Sequence, residues 1–372
     1  MKKILIFIDW FTPAVKAGGP ISSIENMVNL LPKEFEFYII TSSKDLNSKQ
    51  NLDGVVLNKW QKVGSANVIY LEKSHLKNKI LKSLVAEINP SKIYLNGIFS
   101  FKFSILPCWL FKTKYNIIIA PRGMLGTGAL AVKSFRKIVF LQLMKSFSIY
   151  KNVHWHLTND QELEDLNRVI SKNITYSILP NVTKKIEFKE RKKSSKILNL
   201  ISICRINKIK KIEFFLRLLS EIKFECNYTI IGFVEDLNYY NSLLKISESL
   251  PSNITVEFTG QQKFSKITDY LKSAHVFIST SNNENFGHSI VESLATGLPV
   301  LISENCPWNN LEKYNAGFRL PLTHSYFKEK LIYFNEMSPR SYMGFNNGSR
   351  NYYDKFVNPS IFKKGYIKMF SE

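Results

Sequence analysis

The chain has 372 residues, 45% of them hydrophobic and 22% charged, with 51 Lys and Arg against 30 Asp and Glu, a formal net charge of +21. That length exceeds one common core and predicts two domains of similar size, while the ordinary apolar and charged fractions exclude a disordered or fibrous chain. The charge excess implies an anionic partner (nucleic acid, anionic lipid or a phosphorylated substrate), and no apolar run approaches the roughly 18 residues of a membrane span.

The four cysteines, Cys108, Cys204, Cys226 and Cys306, are scattered without a C-x-x-C. They predict reduced thiols in a cytoplasmic protein rather than a zinc site or a disulfide scaffold. Met1 to Ile8 resembles a signal peptide only briefly. Its apolar core is too short and Asp9 closes it, so it reads as a first buried strand. The following loop ends Gly18-Gly19-Pro20 and opens a helix with Met27, Val28 and Leu31 on its apolar face. A glycine pair there lets backbone N–H groups approach a bulky anion; a plain turn would use the same residues. Further strands are expected at 37–41, 67–71, 92–95, 116–120, 153–157 and 176–179, with helices at 75–88, 100–112, 129–149 and 160–170. This alternation predicts a doubly wound domain.

Residues 73–151 are rich in Lys and Arg and hold one acid, Glu87. The cations alternate with apolar residues, as in Phe101-Lys102-Phe103, Trp109 to Tyr115 and Phe135-Arg136-Lys137. Solvated helix faces are the plain explanation; a membrane-surface patch is the functional one. Nucleic acid is disfavoured because no recognised binding motif accompanies the charge. Arg122, in Pro121-Arg122-Gly123 after the fifth expected strand, is a candidate acceptor or phosphate contact, or a structural arginine in a turn. His154 and His156 share one face of their strand, with Trp155 on the other. Lys184 to Lys196, highly charged and without periodicity, is the best domain linker.

A second alternation begins with the strand 198–203. It runs into Cys204-Arg205-Ile206-Asn207-Lys208-Ile209-Lys210-Lys211 and a helix carrying Phe214, Phe215, Leu216 and Leu219. Arg205 and Lys210, at a strand end and a helix start, are suited to clamp a diphosphate. Strands follow at 228–231, 256–259, 275–279, 300–302 and 317–320. Between the strands at 275–279 and 300–302 comes Glu284-Asn285-Phe286-Gly287-His288-Ser289-Ile290-Val291-Glu292. Gly287 allows a tight helix entry, and Gly297 with Pro299 ends that helix. The two acids stand eight residues apart, about 12 Å of helical rise. Carboxylates accept hydrogen bonds from the paired hydroxyls of sugars and riboses, and the helix start between them favours an anion. That layout suits a sugar–diphosphate–ribose molecule.

The strings around Glu284 and Glu292 resemble the nucleotide-sugar site of the retaining GT-B glycosyltransferases, usually called family 4. Pro121-Arg122-Gly123-Met124-Leu125 looks like one branch of that family. Pro180-Asn181-Val182 is similar to its Pro-Asn-Gly crossover, with valine for glycine. Cys204 and Lys211 depart from its glycines around Arg205 and Lys210. The resemblance implies an α/β GT-B fold of two doubly wound Rossmann-like domains facing a central cleft. The first would span 1–183, the second 197–352, and a C-terminal helix from about 353 to 372 would pack back on the first. It implies a hexosyltransferase or N-acetylhexosaminyltransferase that moves a sugar, with retention, from a UDP- or GDP-sugar to a saccharide or polyprenyl-linked acceptor. Capsule, O-antigen or exopolysaccharide synthesis at the inner face of a bacterial plasma membrane is the expected setting.

In that reading Arg205 and Lys210 hold the leaving diphosphate, and Phe286, Gly287, His288 and Ser289 supply backbone at the helix tip. Gly18 and Gly19 face the diphosphate, Glu292 binds the ribose, and Glu284 holds the transferred sugar. No cofactor and no metal are expected, since no D-x-D pair occurs and cationic side chains take the metal's place. The partners expected are the donor, the acceptor and an anionic membrane surface, not nucleic acid. A nucleotide-sugar epimerase on the same fold and a nucleic-acid-binding protein explained by charge are the alternatives.

Overall fold

The computed structural model describes residues 1–126, 140–142, 144, 146, 148–170, 174–184, 186, 188 and 197–372. The predicted helix over 129–149, with Phe135, Arg136 and Lys137, and most of the linker lie outside the described residues. The chain divides into two compact units, Met1–Thr183 with Pro359–Glu372, and Lys184–Asn358.

The first unit carries β1 (Lys2–Phe7), α1 (Gly19–Leu30), β2 (Phe35–Ser42), β3 (Trp60–Val63), β4 (Ala66–Leu71), α2 (Asn78–Ile88), β5 (Lys92–Asn96), α3 (Leu106–Phe111), β6 (Asn116–Ala120), β7 (His154–Leu157), α4 (Asp160–Val169) and β8 (Thr175–Ile178). Its strands lie in the order β3-β4-β2-β1-β5-β6-β7-β8, all parallel except the β3–β4 pair. β1 is buried on both faces. Ile4, Ile6 and Ile8 join one apolar cluster, while Leu5 and Phe7 join another. Burying each such side chain contributes about 1.5–3 kcal/mol, which is why a continuous apolar run marks a central parallel strand. The predicted helix over 100–112 starts as a π-helical turn, Phe101–Ile105, before α3, with Ser100 Oγ accepting from the Phe103 N–H at 3.3 Å.

The second unit carries β9 (Leu198–Ile203), α5 (Ile212–Leu219), β10 (Cys226–Ile231), α6 (Leu237–Glu248), β11 (Ile254–Gly260), α7 (Phe264–Ser273), β12 (Val276–Ser279), α8 (His288–Ala295), β13 (Val300–Ser303), β14 (Gly317–Leu320), α9 (His324–Glu336) and α10 (Pro339–Phe356). Its six strands are all parallel, in the order β11-β10-β9-β12-β13-β14. The chain runs outward from β9 to β11, then jumps back to β12 on the other side of β9. The strand order therefore reverses between β9 and β12, the place where such sheets open a crevice at their carboxyl ends.

A last helix, α11 (Pro359–Ser371), belongs to the first unit. Phe370 packs on Phe35, Phe37 and Tyr94, with ring centroids 5.5, 6.0 and 5.9 Å away. α10 lies wholly in the second unit, because Tyr352 and Tyr353 pack in its core. The return segment thus begins at Pro359, later than the expected start near 353.

Sequence reading missed β3. It is a four-residue edge strand of part-exposed residues, paired antiparallel to β4 through a turn at Gly64 (φ 56°), and its Trp60 ring stands edge-on to Tyr38 at 5.4 Å. Neither length nor alternation marks it out.

Two glycines of α10 separate packing from helix propensity. A Cβ on Gly348 would stand 2.1 Å from the Tyr314 carbonyl oxygen, whereas one on Gly344 would meet nothing within 4 Å. Gly344→Ala should raise stability by about 1 kcal/mol, and Gly348→Ala should lower it by about 1–3 kcal/mol or more. Urea unfolding of both variants checks this; shifts of the same sign would contradict the packing described.

Candidate functional site

The candidate site residues of the second unit gather at the β9/β12 reversal. After β9, Lys208–Lys210 forms a 3-10 turn closed by Lys211, whose φ of 51° is left-handed. The resembled family has glycine there; a lysine in that conformation costs roughly 1 kcal/mol. The turn is fastened to the loop after β12. Thr280 Oγ donates to the carbonyls of Lys210 and Lys211, both at 3.0 Å, and the Asn282 N–H donates to the Ile209 carbonyl at 2.8 Å. This bracing directs Lys210 at Glu284, with Nζ 2.5 Å from Oε2 and only 15% and 21% of the two side chains exposed. Burial pulls the Lys210 ammonium pKa down, but the attraction of Glu284, with that of Cys204, outweighs it and the net shift is upward.

Glu284 is held next to a helix tip. Gly287 caps α8 at φ 75°, and a Cβ there would stand 2.8 Å from Ile290 Cδ1 and 3.1 Å from Glu284 Cγ. Only glycine lets the loop close this tightly. α8 has no side-chain cap and no acid in its first turn. The first-turn N–H groups of any helix have no intrahelical acceptor, and together with the helix dipole such an end favours an anion. Phe286 is buried beneath the tip. Its carbonyl accepts from Trp308 Nε1 at 2.6 Å, and its ring lies 5.2 Å from Trp308 and 4.8 Å from His288.

Arg205 takes a different partner. Its guanidinium donates to Glu235 Oε1 at 3.0 Å, and Asn207 Nδ2 donates to the other oxygen of Glu235 at 2.5 Å. Each cation of the expected diphosphate clamp is thus neutralised by a carboxylate, Arg205 by Glu235 and Lys210 by Glu284. Neither Glu235 nor Trp308 stood out as a site residue in the sequence, since no spacing rule links them to Arg205 or Phe286. Glu292 lies further along α8. Burial pushes its carboxyl up to about 7, against the pull of Lys184. A carboxylate short of solvent is poised to gain from hydroxyl donors.

In the first unit, Gly18 caps α1 at φ 64° and Gly19 opens it, again with no side-chain cap and no acid in the first turn. Arg122 braces its own loop. Nε donates to Asn96 Oδ1 at 2.9 Å, one NH2 group to the Tyr94 hydroxyl at 2.6 Å, and the other to Asn181 Oδ1. The Tyr94 hydroxyl lies 2.7 Å from His156 Nδ1, and His156 Nε2 lies 2.9 Å from the Leu179 carbonyl. Burial holds His156 well below its usual range, so the neutral ring accepts from Tyr94 and donates to Leu179. His154 Nε2 lies 2.9 Å from Ser177 Oγ on the neighbouring strand. Among the described residues no group of three or more His, Cys, Asp or Glu is placed to hold a metal, and no helix is long and apolar enough to cross a membrane.

The Glu292 carboxyl sets a pH dependence whose sign follows directly. Its pKa of about 7 in the fold exceeds the ordinary 4.5, so between these values the folded chain binds the extra proton and stability falls as pH rises. Glu292→Gln should remove up to about 3 kcal/mol of that loss between pH 5 and 8. Denaturant unfolding at both pH values measures it; parallel curves for the two proteins would contradict the assignment.

Residues 183–320 match the family described as Glycosyl transferases group 1. The alpha-monoglucosyldiacylglycerol synthase of Streptococcus pneumoniae is 34% identical over 112 residues, 30% of this chain and 25% of that one, so the match spans a quarter of that relative's length. Among solved structures, sucrose-phosphate synthase from Thermosynechococcus elongatus superposes with a TM-score of 0.76 at 15% identity, covering 100% of this chain and 98% of that one. HepE of Anabaena, solved with UDP-glucose, gives 0.76 at 12% identity, covering all of both chains. WaaG, a glycosyltransferase involved in lipopolysaccharide biosynthesis, gives 0.69 at 12% identity, also with full coverage of both. The chain thus has the GT-B fold of these solved structures, and its residues 183–320 match the glycosyl transferases group 1 family.

Proposed function

We propose that this chain is a retaining glycosyltransferase that moves a sugar from a UDP- or GDP-sugar to a saccharide or lipid-linked saccharide in building a bacterial surface polysaccharide or glycolipid. The observation that carries the reading is the Lys210–Glu284 pair, 2.5 Å apart beside the uncapped start of α8. The names of the relatives point the same way, since one makes a glucosylated diacylglycerol and another was solved with UDP-glucose.

In this proposal the donor diphosphate takes Lys210 and Arg205 from their carboxylates and sits at the N–H groups of Phe286 to Ser289. Gly18 and Gly19 open the corresponding uncapped helix of the first unit. Glu284, released from Lys210, accepts hydrogen bonds from the sugar hydroxyls and stabilises positive charge near the anomeric carbon. Glu292 accepts from the ribose hydroxyls. The anomeric C–O bond to phosphate breaks and the acceptor oxygen bonds to the same face of that carbon. The acceptor proton passes to the departing phosphate oxygen. No metal takes part, because Lys210, Arg205 and the helix tip supply the positive field. Whether hexose or N-acetylhexosamine moves is for the donor screen to decide.

The acceptor side is proposed to work at an anionic membrane surface, peripherally and from the cytoplasm. Phe101 and Trp109 are 59% and 58% exposed. Lys102 Nζ lies 5.7 Å from the Phe101 ring and Lys114 Nζ 5.6 Å from the Tyr115 ring. Exposed aromatics among lysines suit an interface of acyl chains and anionic headgroups.

Two measurements test the proposal. A thermal-shift screen of nucleotide sugars should find a donor that raises the melting temperature, and Lys210→Ala should then lower kcat with that donor by about 10²–10³-fold. Full activity of Lys210→Ala would sink the site. In vesicle flotation the protein should rise with anionic and not with neutral lipid, and the Phe101→Ser, Trp109→Ser variant should stay behind; equal non-binding to both lipids refutes the membrane role.

A further inference from the structure

A groove of about 690 Å³ lies on the other side of the turn that presents Lys210, entirely within the second unit. Ile209, Ile246 and the Tyr239 ring give it an apolar floor, and Lys208, Lys211, Arg217 and Lys245 line it with cations. Its volume is that of an ordinary small-molecule site. The one carboxylate in the lining, Glu213, is occupied: Lys211 Nζ lies 3.6 Å from it and the Tyr239 hydroxyl donates to its other oxygen. Among the described residues, no carboxylate pairs with the charged heads of Lys208, Arg217 or Lys245. Three unneutralised cations around an apolar floor match a group of more than one negative charge joined to an apolar body. A single carboxylate would leave most of that charge unanswered, whereas a phosphate monoester carries about two charges and three oxygens for an arginine fork and lysine heads.

The groove is also joined to the site already described. Lys208 and Ile209 face it, while Lys210, the next residue, faces Glu284. The turn is tied to the loop after β12 by the Asn282 N–H, which donates to the Ile209 carbonyl, and Asn282 itself lines the groove. A ligand that moves Lys208 or Asn282 therefore moves the support of Lys210.

We propose that this groove is a second anion site, for a phosphate monoester with an apolar flank, and that its occupancy alters the affinity of Lys210 for a nucleoside diphosphate. The site itself does not depend on the donor reading; the coupling does. Calorimetric titration with dihexanoyl phosphatidic acid below its micelle concentration, dihexanoyl phosphatidylcholine and inorganic phosphate tests it. The wild type should bind the phosphatidic acid, and the Arg217→Glu, Lys245→Glu double variant, with an unchanged melting temperature, should bind it about tenfold or more weakly. A milder Arg217→Gln, Lys245→Gln pair serves if charge reversal fails to fold. Inorganic phosphate bound as tightly as the amphiphile would identify free phosphate as the ligand; phosphatidic acid bound more tightly would identify a lipid headgroup. No binding of either, binding of phosphatidylcholine equal to that of phosphatidic acid, or equal affinity in wild type and variant overturns the site. With the groove saturated, the affinity for UDP or GDP should change about threefold or more, reciprocally. An unchanged nucleotide affinity overturns the coupling, whereas a protein that fills the groove yet binds no nucleotide overturns the donor reading and leaves the groove standing.

Discussion

The contact between Lys210 and Glu284 is the interaction on which the second unit's site depends. Taking both charges out of water costs several kcal/mol per ion, and their attraction repays it only while the geometry holds. The chain spends several backbone contacts on that geometry. Thr280 grips two carbonyls of the lysine turn, Asn282 grips a third, and Gly287 lets the acid approach the helix tip. Such a pair is a poor source of stability and a good switch. Lys210 can leave its partner at low cost only where another anion replaces Glu284, and the proposed sugar-diphosphate donor would offer that anion to the lysine and hydrogen-bond donors to the acid.

The neighbourhood gives up stability in other places too. Lys211 holds a left-handed backbone that glycine would adopt more easily. α8 begins without the side-chain cap that a serine or aspartate would supply. Glu292 is desolvated enough to raise its pKa to about 7. The last two costs stand where the proposed donor would offset them: phosphate at the helix tip, ribose hydroxyls at Glu292. Arg122, by contrast, donates to Asn96, Tyr94 and Asn181 and so acts in this structure as a brace for the loop after β6.

The parallel sheets were legible because strands buried on both faces, such as Ile4 to Ile8 or Val276 to Ser279, are unbroken apolar runs bounded by turn residues. The helix after Gly287 was legible for a similar reason: its apolar face, entry glycine and terminal Gly297 and Pro299 are all local signals. What stayed hidden is carried by contacts between residues far apart in sequence. Arg122 meets Asn181, Arg205 meets Glu235 and Phe286 meets Trp308, and no local pattern pairs them. β3 escaped because an edge strand with part-exposed faces has no apolar run, and the groove behind Lys210 escaped because it joins a turn to two helices.

The most direct test of the account is nucleotide binding to the Glu284→Gln variant, measured by calorimetry with UDP and GDP. If the carboxylate competes with the diphosphate for Lys210, removing its charge should tighten binding of the bare nucleotide severalfold even as sugar transfer falls. Unchanged or weakened binding would contradict the claim that this ion pair is the lock a donor opens.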